Sequence, residues 1–283
     1  MISSATLSLA YSPCPNDTFI FAAWTRGMLT DATPVAVVLD DVEALNEAAR
    51  AGRFVLTKVS YGAIPYLLEK YRILRAGGAL GRGCGPLLLA RPDADGNVPA
   101  LADFKPHARI AIPGAMTTAF MLLRLALPVP IDAVPMRFDR IVDAVAHGEV
   151  DAGLIIHESR FTYQQSGLAA VADLGAWWES ETGHPIPLGA ILVRRDVGDD
   201  EARRLDETIR TSLAYARSND AAVAPYVREH AFEMDESVMR AHVGLYVNEY
   251  SIDVGDDGEA AVRELFKRAA AANLIPNVTP EFV

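Results

Sequence analysis

The sequence predicts an α/β protein of two lobes, joined by two crossover strands and enclosing an interlobe cleft. Three observations carry this expectation. A helix–strand unit recurs once in each half of the chain. The strand-to-helix turns recur with the same spacing. Two look-alike apolar segments bracket the second half. The first unit is a helical pattern over 41–52 stopped by Gly52, an apolar run over 54–59, and Ser60. Its counterpart is 139–148 stopped by Gly148, an apolar run over 150–156, and His157. Residues 7–11 with the turn and helix after them match 109–112, the turn 113–116, and the helix opening at Thr117-Thr118. In open α/β sheets ligands bind beyond the carboxyl ends of the strands. Two facing halves therefore place Asn16 to Thr18, Ser60, Thr117-Thr118 and His157 around one cleft.

The remaining elements follow in order. Ser12-Pro13-Cys14-Pro15-Asn16-Asp17-Thr18-Phe19 joins the first strand to an amphipathic helix over 19–24. Its prolines fix the turn, and Asn16, Asp17 and Thr18 offer capping oxygens beside unpaired backbone N–H groups. Such a helix entrance suits an anionic or hydroxylated ligand, and equally a plain helix cap. Segments 85–91 and 188–194 are both apolar and end in an arginine followed within two residues by aspartate. Taken as the crossover strands, they divide the chain into lobe 1, residues 1–90 and 195–283, and lobe 2, residues 91–194. A turn at 93–97 marks the boundary. Helical patterns at 201–217, 221–230, 237–247 and 258–272 are expected to pack on lobe 1.

Bulk properties narrow the function. A chain of 283 residues, 51% of them apolar, can bury a substantial core without disulfides or metals. A net charge of -11 with no long basic cluster argues against a nucleic-acid or anionic-membrane partner, while local N–H groups still permit a small anionic substrate. No run approaches membrane-spanning length, and the first residues lack the basic and apolar stretches of a secretory signal, so a cytoplasmic location is expected. Cys14 and Cys84 lie in no zinc-like spacing, and Cys14 reads either as a nucleophile or as a small buried thiol.

His157 is the sharpest chemical candidate, because a buried strand runs straight into His157-Glu158-Ser159-Arg160 and an imidazole serves as a base near neutral pH. A structural histidine at a strand end is the alternative. The other histidines, His242 among them, read as loop or helix-surface residues. Lys58 and Ser60 alternate onto one face, where Ser60 can touch a ligand or cap the helix that follows. The five glycines of 77–85 can wrap an anion or form a hinge, and no Gly-Lys-Ser/Thr follows as a phosphate loop requires. Trp177-Trp178 reads as an aromatic wall or as a pair divided between core and surface.

Taken together, the octapeptide, Thr57-Lys58-Val59-Ser60-Tyr61, the glycine-rich segment, Thr117-Thr118 and residues 153–163 resemble the 1,4-dihydroxy-6-naphthoate synthase family of the futalosine route to menaquinone. The likeness continues through Asp173-Leu174-Gly175-Ala176-Trp177-Trp178 and Tyr246-Val247-Asn248 to residues 251–255, nearly the whole chain. It implies a type 2 periplasmic-binding-protein-like fold with its active site in the cleft. It also implies carbon–carbon cleavage of cyclic dehypoxanthinylfutalosine to 1,4-dihydroxy-6-naphthoate and dihydroxyacetone, with no redox cofactor and no metal. His157 is then the base, and Lys58, Val59, Ser60, Thr117 and Thr118 match substrate-binding positions. Asn16 joins them because its amide both donates and accepts. The competing expectation is a cytoplasmic sensor of small carboxylates on the same fold, which needs polar cleft groups but no base.

Overall fold

A computed structural model of the chain describes residues 7–127, 129–231 and 235–283, so the first six residues, which enter the reading of the N-terminus, lie outside it. In chain order the strands are β1 (Leu7–Tyr11), β2 (Val35–Leu39), β3 (Leu56–Ser60), β4 (Tyr71–Ile73), β5 (Ala79–Gly81), β6 (Leu87–Ala90), β7 (Ala108–Ile112), β8 (Ile131–Pro135), β9 (Ala152–Ile155), β10 (Ala169–Asp173) and β11 (Ile186–Arg194). The helices are α1 (Pro15–Thr25), α2 (Val42–Arg50), α3 (Thr118–Ala126), α4 (Ile141–Ala146), α5 (Ser159–Thr162), α6 (Leu174–Thr182), α7 (Asp199–Ser218), α8 (Asp220–His230), α9 (Glu236–Tyr246), α10 (Glu249–Ile252) and α11 (Gly255–Ala271).

The strands form two mixed sheets. One has the order β2-β1-β3-β11-β4, with β5 also on β11; the other has the order β10-β6-β9-β7-β8. Read from its β8 edge, the second sheet repeats the first: two parallel outer strands, a third parallel strand, then an antiparallel one. The registers match too. β1 runs beside β2 from Leu7↔Val35 to Tyr11↔Leu39, and β7 beside β8 from Ala108↔Ile131 to Ile112↔Pro135. The duplication read from the sequence is therefore a duplication of topology.

The two look-alike segments do occupy equivalent places, as the antiparallel strands β11 and β6, but each lies in the other half from the one expected. β6 pairs with β9 from Leu87↔Ile155 to Ala90↔Ala152, inside the second sheet. β11 pairs with β3 from Gly189↔Ser60 to Val193↔Leu56, inside the first. By sheet membership the chain changes halves at 82–86 and again at 183–185, ahead of these strands rather than after them. The reason is backbone pairing, because an apolar strand buried on both faces must sit in the middle of a sheet. Neither strand is free to bridge two sheets.

The first helix also starts earlier than expected. Pro15 occupies its first turn, where a missing N–H costs nothing, and Asn16, Asp17 and Thr18 are already helical, with no side-chain cap on Cys14. One apolar core runs beneath both halves, from Tyr61 and Ile64 to Ile110, Leu122 and the fully buried Trp178. A second fills the space between the first sheet, α1 and the C-terminal helices α7 and α8. The tryptophan pair divides as the core-and-surface reading has it: Trp178 is enclosed with its Nε1 donating to Pro185 O, and Trp177 is half-buried. Among the described residues no helix is long and apolar enough to cross a membrane.

Candidate active site

All seven expected site residues line one cavity: Asn16, Lys58, Val59, Ser60, Thr117, Thr118 and His157. Each arrives on the carboxyl side of a parallel strand or on the helix after it, as the strand-end rule requires. The cavity measures about 90 Å³, room for a few waters, whereas sites for drug-sized ligands run from roughly 300 Å³ upward. The lobes are closed.

Contacts between the halves hold that closure. Thr118 Oγ1 donates to Leu188 O at 2.7 Å and accepts from Gly62 N at 3.0 Å. Glu43 on α2 accepts from Met116 N at 3.0 Å, in the turn before α3. That turn passes so close that a Cβ on Gly114, which has φ +159°, would meet the Glu43 carboxyl. Thr117 caps α3, accepting from Phe120 N at 3.2 Å. The first-turn N–H groups of Thr118 and Ala119 have no intrahelical acceptor, and both residues line the cavity.

The floor is a buried ion pair. Lys58 Nζ donates to Asp17 Oδ1 at 2.7 Å and to Gly77 O at 3.0 Å, and both charged side chains are almost wholly shielded. Ser12 Oγ and Asn16 Nδ2 also donate to the Asp17 carboxylate, at 2.8 and 2.9 Å. Asp17 thus organises the octapeptide rather than capping its helix. Ser60 does not cap a helix either: its N–H and Oγ face Asn46, at 2.9 and 3.3 Å, and the turn after it is a short 3-10 helix, Ile64–Tyr66. The glycine-rich segment contributes mainly carbonyls here, with Gly77 O accepting from Lys58 and Gly85 O from Arg160 at 2.7 Å. Its crossover place at 82–86 fits the hinge reading.

His157 follows β9 with φ +60°, a left-handed conformation that a residue with a Cβ seldom adopts. Such strain persists only where neighbours over-determine it, and it concentrates at functional positions. Its Nδ1 lies 3.2 Å from Cys14 Sγ, its ring packs edge-on against Phe138 with centroids 4.8 Å apart, and its buried Nε2 has no partner among the described residues. Burial lowers its pKa to about 4; Lys58 adds to the lowering and Asp17 opposes it. The ring is therefore neutral near pH 7. Cys14 is not among the cavity's lining residues, and burial, reinforced by Glu158, pushes its thiol well above the usual range. That protonated thiol is a poor nucleophile and supports His157 from behind.

Cys14 Sγ, a ring nitrogen of His157 and a carboxylate oxygen of Glu158 lie within 4.8 Å of one another, close enough to suggest a metal. The donor chemistry fits poorly. A metal needs the thiolate, while burial favours the thiol, and His157 Nδ1 already contacts that sulfur.

The cavity is also lined by residues outside the expected seven. His242, read as a helix-surface residue, is 1% exposed and lines the cavity with Tyr246. The signal was present, since Met239, His242 and Tyr246 form an i, i+3, i+7 stripe that is the buried face of α9. Arg160 also lines the cavity, held by Gly85 O and by Asp173 Oδ2 at 2.6 Å.

Comparison with known proteins places this geometry in context. Residues 7–271 match the family model described as menaquinone biosynthesis. A protein of Thermus thermophilus named 1,4-dihydroxy-6-naphthoate synthase is 51% identical over 280 residues, 98% of this chain and 99% of that one. A Streptomyces coelicolor protein of the same name is 46% identical over 285 residues, 99% and 98% of the two chains. Among solved structures, a structural-genomics protein from Archaeoglobus fulgidus superposes with a TM-score of 0.89 at 34% identity, covering 97% of this chain and all of the other. The alkanesulfonate-binding protein of Xanthomonas axonopodis, at 15% identity and TM-score 0.71 over 97% and 96% of the two chains, is alike in fold alone.

Proposed function

This chain belongs to the menaquinone-biosynthesis family and is an enzyme of that route, and from this we propose that it converts cyclic dehypoxanthinylfutalosine to 1,4-dihydroxy-6-naphthoate and dihydroxyacetone, with His157 as general base. The observation that carries the assignment of the base is the buried, unpartnered Nε2 of a neutral imidazole lining the cavity. The role of base requires the tautomer with its hydrogen on Nδ1, facing the Cys14 sulfur, and its lone pair on Nε2. The full-length likeness to named synthases gives no support to a sensor role, and the binding-protein neighbours at 15% identity speak only for the fold.

Substrate enters the opened cleft, since the closed cavity is too small to admit it. The first-turn N–H groups of α3 and the Ser60 hydroxyl meet its carboxylate and developing oxyanion charge, and closure removes water from around them. Once dry, His157 Nε2 takes the acidic proton, the carbon–carbon bond breaks, and aromatisation of the naphthoate ring draws the reaction forward. Lys58 holds Asp17 in place beneath the ring instead of meeting substrate first. A biosynthetic step on a small polar intermediate fits a cytoplasmic location.

The test is incubation of purified protein with the cyclic substrate, followed by absorbance and chromatography of the naphthoate, beside His157→Ala. Removing a general base costs roughly 10²–10⁴ in rate, so the variant is expected to lose turnover to that extent and keep its substrate affinity. Near-normal turnover in the variant sinks the assignment of the base.

A further inference from the structure

The cavity holds a second imidazole whose protonation pattern is fixed by its neighbours more tightly than that of His157. Lys58 Nζ and Asn16 Nδ2 both donate to Asp17 Oδ1, at 2.7 and 2.9 Å. The Asn16 amide is thereby oriented with its NH₂ group on the carboxylate and its oxygen toward α9. That oxygen lies 2.9 Å from His242 Nε2. An amide oxygen only accepts, so Nε2 carries the hydrogen and the lone pair is on Nδ1. Nδ1 is buried and has no partner among the described residues, on a side chain 1% exposed that lines the cavity. Phe161 and Tyr246 pack about the ring, and the His157 ring lies nearly parallel to it, 19° between planes and 6.5 Å between centroids. Burial, with His157 adding, lowers the His242 pKa to about 3 and keeps it neutral. The buried chain Lys58–Asp17–Asn16–His242 thus ends on a nitrogen lone pair, on a ring beside that of His157.

We propose that His242 is a second proton-transfer residue, working through Nδ1 on the fragment that departs while His157 serves the ring. This rests on the lyase reading above. Cleavage of one substrate into two products with no redox change needs a hydroxyl proton removed and a proton delivered. The hydroxyl proton passes to His242 Nδ1 as its oxygen forms a carbonyl, and the carbon–carbon electron pair moves onto the fragment across the broken bond. The same proton then returns to that fragment. His157 returns the proton it took to the ring oxygen as the ring aromatises, so atoms and electrons balance within the substrate and both imidazoles end neutral, His242 with its hydrogen still on Nε2. Asn16 is a positioning residue in this scheme, holding the tautomer that leaves Nδ1 bare.

The experiment compares wild type, His157→Ala and His242→Gln for naphthoate release and for calorimetric binding of the cyclic substrate. The glutamine keeps an N–H for Asn16 but has no proton-accepting nitrogen. Expected is a loss of about 10² or more in kcat for His242→Gln, with binding within a few-fold of wild type. Turnover within a few-fold of wild type overturns the proposal and leaves the lyase reading standing. No naphthoate from wild type removes both. A measurement on intact wild-type protein does not depend on the variant folding: ¹⁵N spectra of histidine-labelled enzyme should show His242 neutral with the hydrogen on Nε2. A hydrogen on Nδ1 overturns the assignment.

Discussion

Lys58 and Asp17 are both nearly sealed from solvent, and each carries several hydrogen bonds, so neither charge is stranded while its partner is present. Removing one member leaves the other buried and uncompensated, which typically costs about 3–5 kcal/mol. Lys58→Met is expected to lower the unfolding free energy by that order in denaturant titrations, and Lys58→Met with Asp17→Leu to recover part of it. The two cavity histidines impose a pH dependence of their own. Their folded pKa values, about 4 and about 3, lie below the ordinary 6.5 of an exposed ring. Below pH 6.5 the unfolded chain binds protons that the folded one refuses. Their contribution to stability is therefore complete above about pH 6.5 and is lost as pH falls toward 4 and 3, each ring giving a slope of up to roughly 1.4 kcal/mol per pH unit. Thermal melting between pH 7.5 and 5 should show the fall, and His242→Gln should make it shallower.

At the scale of elements, what could be read from the sequence was what period and punctuation encode. Glycine stops, alternating helix and strand patterns and polar residues at strand ends located β3, β9, α2, α3, α7, α8, α9 and α11 with ends displaced by a few residues at most, and passed over the single-turn α10. They also gathered Ser60, Thr117, Thr118 and His157 at one cleft, since strand direction alone decides where a carboxyl end points. Contacts made at a distance were not legible. Ser60 reads as a cap until Asn46, fourteen residues earlier, is found facing it. His242 reads as a surface residue until α9 is seen lying against α1, with Asn16 taking its N–H. β6 and β11 look alike because they are equivalent, yet resemblance between two strands does not say which sheet each one completes.

On the scale of the whole molecule, closure depends on few polar contacts. Thr118 alone supplies a donor to Leu188 O and an acceptor for Gly62 N across the cleft. Thr118→Val keeps the side-chain shape and strands the Gly62 N–H, at a cost of about 1–3 kcal/mol when buried, while Leu188 O loses one of its two donors and keeps the Tyr61 N–H. Because those contacts hold only the closed form, the expected outcome is a higher KM and a more expanded particle by small-angle scattering, with little change in melting temperature. A variant as compact as wild type would mean that the apolar core alone keeps the lobes together.

The placement of β6 and β11 also sets the order in which the protein can be made. Every strand of the five-stranded sheet lies between Leu87 and Asp173, whereas the sheet that begins at Leu7 is not complete until Arg194, and its α7–α8 covering follows later still. As the ribosome delivers the chain, the middle has all its partners before the beginning does. The half that starts first finishes last, waiting with an open sheet edge on β3 while its neighbour folds as an insert in its midst.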